Sequence, residues 1–179
     1  MIHLEDIAES ILQGKPLLPL LKDSSENGIF NALSDLGMAD IEIQAVLEEL
    51  LLNAREHGQN KNIMIYMGCH VGWFFAVIRD QGPGIHMTLP KNPRLADTKG
   101  KSAAALIRLA VEEGITGTGT VGRGIGLHIL SELVSSRRAE SLVISDGGLF
   151  VQVGDVFLER YARIPTDGTL VAIKVEIQK

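Results

Sequence analysis

The stretch NIMIYMGCHVGWFFAVIRD, residues 62–80, limits the fold more than any other part of this 179-residue chain. It reads as two apolar strands around a turn near Gly68 to Gly72. Near the C-terminus GTLVAIKVEI (168–177) places Val171, Ile173, Val175 and Ile177 on one side, as a strand with one buried face does. SLVISDGG (141–148) and LFVQV (149–153) read as a hairpin across Asp146-Gly147-Gly148. Residues 154–168 carry no clear pattern.

Helical periodicity fills the spaces between these strands. Leu4, Ile7, Ala8, Ile11 and Leu12 fall on one face of a short helix ended by Gly14 and Pro16. PLLPLL (16–21) is apolar but broken by proline, so it packs as an irregular segment. A second helix over 26–37 stops at Gly37. Asp40 is a good N-cap for a third helix that runs through His57 and ends at Gly58. Its apolar side carries Ile43, Val46, Leu47, Leu50 and Ala54. Further helices are expected over 102–114 and 125–136. The pattern predicts an α+β protein: a two-layer sandwich whose mixed, mostly antiparallel sheet carries helices on one face. Two parts are expected, a helical N-terminal segment at 1–39 and a main domain at 40–179.

Composition narrows the partners. The net charge is −5, which disfavours a nucleic-acid surface. The single cysteine, Cys69, precludes an intramolecular disulfide and fits a reducing cytoplasm. The run VGWFFAVI (71–78) is far shorter than the roughly 20 apolar residues of a membrane helix. No signal-peptide pattern is evident at the N-terminus.

Three short patterns carry chemistry. Glu49, Asn53 and His57 recur every fourth residue and so share one helix face. Alone, such a trio reads as a solvated polar stripe, but LLL at 50–52 places Asn53 at a semi-buried edge, where an amide needs partners. Glu48 lies about 100° around the helix from Glu49 and points elsewhere. Asp80 begins DQGPG at a strand end, where Gly82 and Gly84 would let a flat ring approach the backbone. As a lone motif this is a common turn. Last, GRGIGL brings Gly122, Arg123, Gly124 and Gly126 into a helix start, an arrangement whose N–H groups suit phosphate. GTGTVG (117–122) imitates a dinucleotide fingerprint, but helical residues rather than a strand precede it. GKS (100–102) imitates a phosphate loop, but Leu95 stands where its first glycine belongs.

In this order and spacing the three patterns resemble the GHKL superfamily of ATP-binding domains (the Bergerat, or histidine-kinase-like, fold), and most closely bacterial anti-sigma-factor serine kinases. The resemblance covers roughly residues 40–177. It includes the N-A-x-x-H-G helix ending at 53–58. Such kinases usually begin with a strand, and residues 1–39 show none. The resemblance implies bound ATP and Mg²⁺. Asn53 would be the metal ligand, Glu49 the residue that activates the attacking group, and Asp80 the acceptor for the adenine amine, with Thr169 joining that cluster. His57, Gly82, Gly84, Gly122, Arg123, Gly124 and Gly126 would complete the ATP site, under a lid at about 86–121 that ATP orders. The implied function is a cytoplasmic serine/threonine kinase acting on a regulatory protein of the sigma-factor or antagonist type. A homodimer is a further expectation; direct contact with nucleic acid or membrane is not. Two rivals use the same nucleotide contacts: an ATP-sensing switch without transfer, and a histidine-kinase-like ATPase module serving a separate phosphoacceptor protein.

Overall fold

The computed structural model describes residues 2–59, 62–91, 98, 100–112 and 125–177. Six helices are seen there: α1 (Leu4–Leu12), α2 (Glu26–Asp35), α3 (Ile41–His57), α4 (Ile85–Thr88), α5 (Ala103–Val111) and α6 (Ile125–Ser136). Six strands accompany them: β1 (Met64–His70), β2 (Trp73–Arg79), β3 (Ala139–Ser145), β4 (Gly148–Val153), β5 (Val156–Tyr161) and β6 (Thr169–Glu176). They form one sheet in the order β1-β2-β6-β3-β4-β5, and every described pairing is antiparallel.

Local chemistry sets the element ends. Asp40 caps α3 by accepting from the amides of Glu42 and Ile43 at 3.0 and 3.2 Å. Arg137, just past α6, binds the same Asp40 carboxylate at 2.5 Å and also reaches Glu42, tying the two helices together. The β1–β2 turn is narrower than the glycine span suggests. Only Val71 and Gly72 form it, both with positive φ, while Gly68 stays in the strand opposite Phe75. The β3–β4 turn is likewise two residues, Asp146 and Gly147, at φ 49° and 72°. The unpatterned stretch after 154 supplies β5, whose side chains are mostly exposed and so leave no burial rhythm to read.

Strand alternation builds two cores. One sheet face sends Ile65, Met67, Phe74, Ala76, Ile78, Val143, Phe150, Val171 and Ile173 against α2, α3, α5 and α6. The other sends Tyr66, Phe75, Val77, Leu142, Ile144, Leu149 and Leu170 against Leu4, Ile7, Ala8 and Ile11 of α1. The α+β sandwich thus has its larger helical layer on one face, with α1 alone across the sheet. The irregular segment at 16–21 lies along the outer edge of β1. Leu20 bridges Tyr66, Leu21 N–H donates to Ile65 O at 2.7 Å, and Met67 N–H donates to Pro19 O at 3.2 Å. No helix among the described residues is long and apolar enough to cross a membrane.

Candidate functional site

The last turns of α3 face the ends of β2 and β6 across a cleft. Asn53, Ala54 and His57 line one wall, with Leu50 one turn earlier. Ile78, Asp80, Thr169 and Val171 form the floor; Ile85, Thr88, Leu89, Ala110 and Leu127 close the far side. Most of this lining is aliphatic, and Leu89 packs with Leu106 and Ala110 into a small core of its own. The α4 turn and α5 therefore act as walls. Of the expected lid, residues 92–97, 99 and 113–121 lie outside the described residues.

Asp80 is the polar centre of the floor. It is 6% exposed, and burial pushes its carboxyl above the ordinary range, against the lowering effect of the Gly82 and Thr169 amides and of Arg79. Its Oδ1 accepts from Gly82 N–H at 2.8 Å, and its own N–H donates to Thr169 O at 2.9 Å. Three glycines make this packing feasible. A Cβ on Gly58 would stand 2.7 Å from Asp80 Cβ. One on Gly168, at φ 80°, would stand 2.7 Å from Asp80 Oδ1. One on Gly82 would be driven into Gly58. Gly82 itself does not line the cleft: its bare Cα faces the end of α3, while Gly84 reaches the cleft wall.

Glu49 and Asn53 sit one helical turn apart on α3, both partly exposed. Gln44 donates to Glu48 Oε1 at 2.8 Å, which occupies the neighbouring carboxylate along the helix. Among the described residues neither Glu49 nor Asn53 has a side-chain hydrogen bond. Gly126, in the first turn of α6, lies directly against this pair. A Cβ there would collide with Asn53 Nδ2 and stand 3.3 Å from Glu49 O. The structure thus brings together Glu49, Asn53, His57, Asp80, Gly84, Gly126 and Thr169. Gly122, Arg123 and Gly124 lie outside the described residues.

One contributor escapes a reading of the sequence. Ser145, at the end of β3 and 1% exposed, accepts from Ile85 N–H at 2.9 Å and donates to Gly168 O at 3.1 Å. Its Oγ also lies 3.4 Å from Thr169 Oγ1. It therefore pins the turn that follows Asp80 to the start of β6. The only trace in the sequence is a hydroxyl closing the apolar run Leu142 to Ile144.

The cleft suits a flat, mostly apolar ring bearing a hydrogen-bond donor, because its aliphatic walls surround a single buried carboxylate. Among the described residues no cluster of three or more His, Cys, Asp or Glu side chains is placed to hold a metal. Any cation at Asn53 would take its remaining ligands from ligand oxygens and water, as Mg²⁺ does.

A six-stranded antiparallel sheet under a helical layer, with this cleft where α3 meets β2 and β6, defines a histidine-kinase-like ATPase fold. The family profile of the histidine kinase-like ATPase domain matches residues 25–153, and the chain belongs to that family. An ATPase domain implies ATP binding. No curated protein matches the chain.

Proposed function

We propose that the protein is an Mg²⁺-ATP-dependent serine/threonine kinase of the anti-sigma-factor type that regulates a partner protein in the cytoplasm. The observation that carries the reading is the pairing of a buried Asp80 carboxylate on the cleft floor with Glu49 and Asn53 on its wall helix, whose side chains hold no hydrogen bond among the described residues. Asp80 accepts the adenine amine, a donor that guanine lacks at that edge. Asn53 supplies one oxygen to Mg²⁺, which neutralises phosphate charge when bound. Glu49, one turn nearer the start of α3, orients and deprotonates the acceptor hydroxyl. Thr169 and His57 complete the nucleotide contacts, with Gly126 admitting the start of α6 beside Asn53. Transfer of this kind depends mainly on positioning and charge neutralisation.

One observation favours a second reading, a switch without transfer. Gly126 rests on Asn53, so a ligand that moves the Asn53 amide also shifts the first turn of α6, a signal a partner could sense. The test is incubation of the protein, with whatever it captures from its native extract, with γ-labelled ATP and Mg²⁺. Acid-stable label on serine or threonine of a captured protein, lost in Glu49→Ala, supports the kinase. Acid-labile label points to histidine transfer, and nucleotide-dependent capture without label points to the switch.

A further inference from the structure

The helices α3 and α6 run antiparallel and are tied at both ends. Gly126, in the first turn of α6, lies against Asn53 and Glu49 O, and Arg137, past its last turn, holds Asp40 and Glu42. Between these ties runs an open groove of about 690 Å³, within the size range of ligand clefts. Val46 and Leu133 are buried in its floor, while Ala45, Ser131 and Ser135 are too small to fill it. We propose, resting on the kinase reading above, that this groove docks the acceptor segment of the substrate protein: an extended stretch with a lysine or arginine two residues from the serine or threonine that receives the phosphoryl group.

Continuity with the cleft sets the position of the acceptor. Glu42, Ala45 and Glu49 stand at i, i+3 and i+7, one stripe of α3, so the groove leads to Glu49 at its inner end. There the acceptor oxygen bonds the γ-phosphorus as the bond to ADP breaks, and its proton passes to Glu49. Ala45 lies one turn back, about 6 Å along the helix. The antiparallel register brings Glu132 to that level, because it falls midway between Gly126, beside residues 49–53, and Arg137, beside residues 40–42. Two residues of an extended chain span about 6.6 Å and turn their side chains to the same face. The acceptor hydroxyl and the side chain two positions away therefore enter the groove together, one at Glu49 and the other at Glu132.

Charge selects a basic side chain for that second position. No lysine or arginine lines the groove. The Glu132 side chain is 73% exposed and, among the described residues, is paired only with His128, at 3.8 Å. At the outer end Asp40 and Glu42 share Arg137. Counting Glu49, four carboxylates along the groove thus stand against one guanidinium. An incoming lysine or arginine lays its methylenes over Ala45 and brings its charge to Glu132. An acidic segment would be repelled.

The test uses the full chain, Mg²⁺ and a short fluorescein-labelled alanine peptide with one central serine and an arginine two positions to either side. Anisotropy with a non-hydrolysable ATP analogue reads docking, and label from γ-labelled ATP reads transfer. Ala45→Lys and Glu132→Lys, both at exposed helix positions where lysine is tolerated, should each weaken docking about three- to tenfold, as exposed charge pairs allow. ATP affinity and melting should not change. Asp6→Lys, the same charge change on α1 across the sheet, should leave docking as it was. A peptide with glutamate in place of arginine should dock better on Glu132→Lys than on the parent, a reversal that a structural role for Glu132 does not produce. Arginines moved to four positions from the serine, the spacing of a helical segment, should lose the preference. Docking without label keeps the groove and sinks the kinase reading. Label on a peptide whose docking ignores Ala45→Lys and Glu132→Lys keeps the kinase and overturns the groove. Equal docking of the arginine and glutamate peptides, or a preference for the four-residue spacing, overturns it as well.

Discussion

Replacing Asp80 by Asn separates what this side chain does for the ligand from what it costs the fold. The two residues are nearly isosteric, and the Asn amide oxygen can still accept from Gly82 N–H, the 2.8 Å bond that now holds the carboxylate. The amide nitrogen then faces the cleft as a donor, opposite the position that the proposed function gives the adenine amine, itself a donor. Turning the amide over relieves that conflict only by setting its NH₂ against Gly82 N–H. A hydrogen bond to a charged group contributes about 1.5–3 kcal/mol, so ATP affinity should fall roughly ten- to a hundredfold. Stability should move the other way. Burial raises the carboxyl's folded-state pKa above its unfolded value near 3.8, so the native state holds the proton more tightly than the unfolded chain. That contribution is fully present below the unfolded pKa and is lost as pH rises through the folded one. At neutral pH the parent thus carries an ionised carboxylate at a net cost that the Asn variant does not. Urea unfolding at neutral and acid pH, with calorimetric titration of ATP and GTP, tests both halves. Asp80→Asn should be at least as stable as the parent at pH 7 and lose that advantage in acid. A variant less stable at pH 7, or a parent that binds GTP as well as ATP, would refute the reasoning.

Glu49→Ala should retain Mg²⁺-ATP binding and abolish transfer; label transfer at the parent rate would place the base elsewhere. Gly126→Ala and Gly168→Ala should part company. At 126 the new methyl meets the movable Asn53 amide, and alanine favours the helix by about 1 kcal/mol, so stability should hold while the Mg²⁺-dependent part of ATP binding is lost. At 168 the methyl meets Asp80 backbone at φ 80°, combining a left-handed penalty of about 1–2 kcal/mol with overpacking of about 1–3 kcal/mol; chemical denaturation should show the sum. Ser145→Ala leaves Ile85 N–H without its acceptor, a loss of about 1–3 kcal/mol, and should also weaken ATP binding by loosening the turn after Asp80. Unchanged melting and unchanged affinity would make that hydroxyl incidental.

Local sequence determined whatever depends on spacing along one element. Glu49, Asn53 and His57 share a face because four residues make about one helical turn, and Asp40 caps α3 because its carboxylate reaches the next amides. The strands on either side of Asp146-Gly147 were legible because a two-residue turn demands positive φ. Only the tertiary structure decided which faces meet. The burial that raises the Asp80 pKa depends on bare backbone at Gly58 and Gly168, brought together from positions far apart in the sequence. Ser145 gains its role from Ile85 and Gly168, both far from it in sequence. Periodicity showed α1 to be amphipathic but not which face of the sheet it covers, because both faces present alternating aliphatic residues. β5 stayed hidden for the complementary reason: exposed on both faces, it carries no burial rhythm, and only its pairing with β4 makes it a strand.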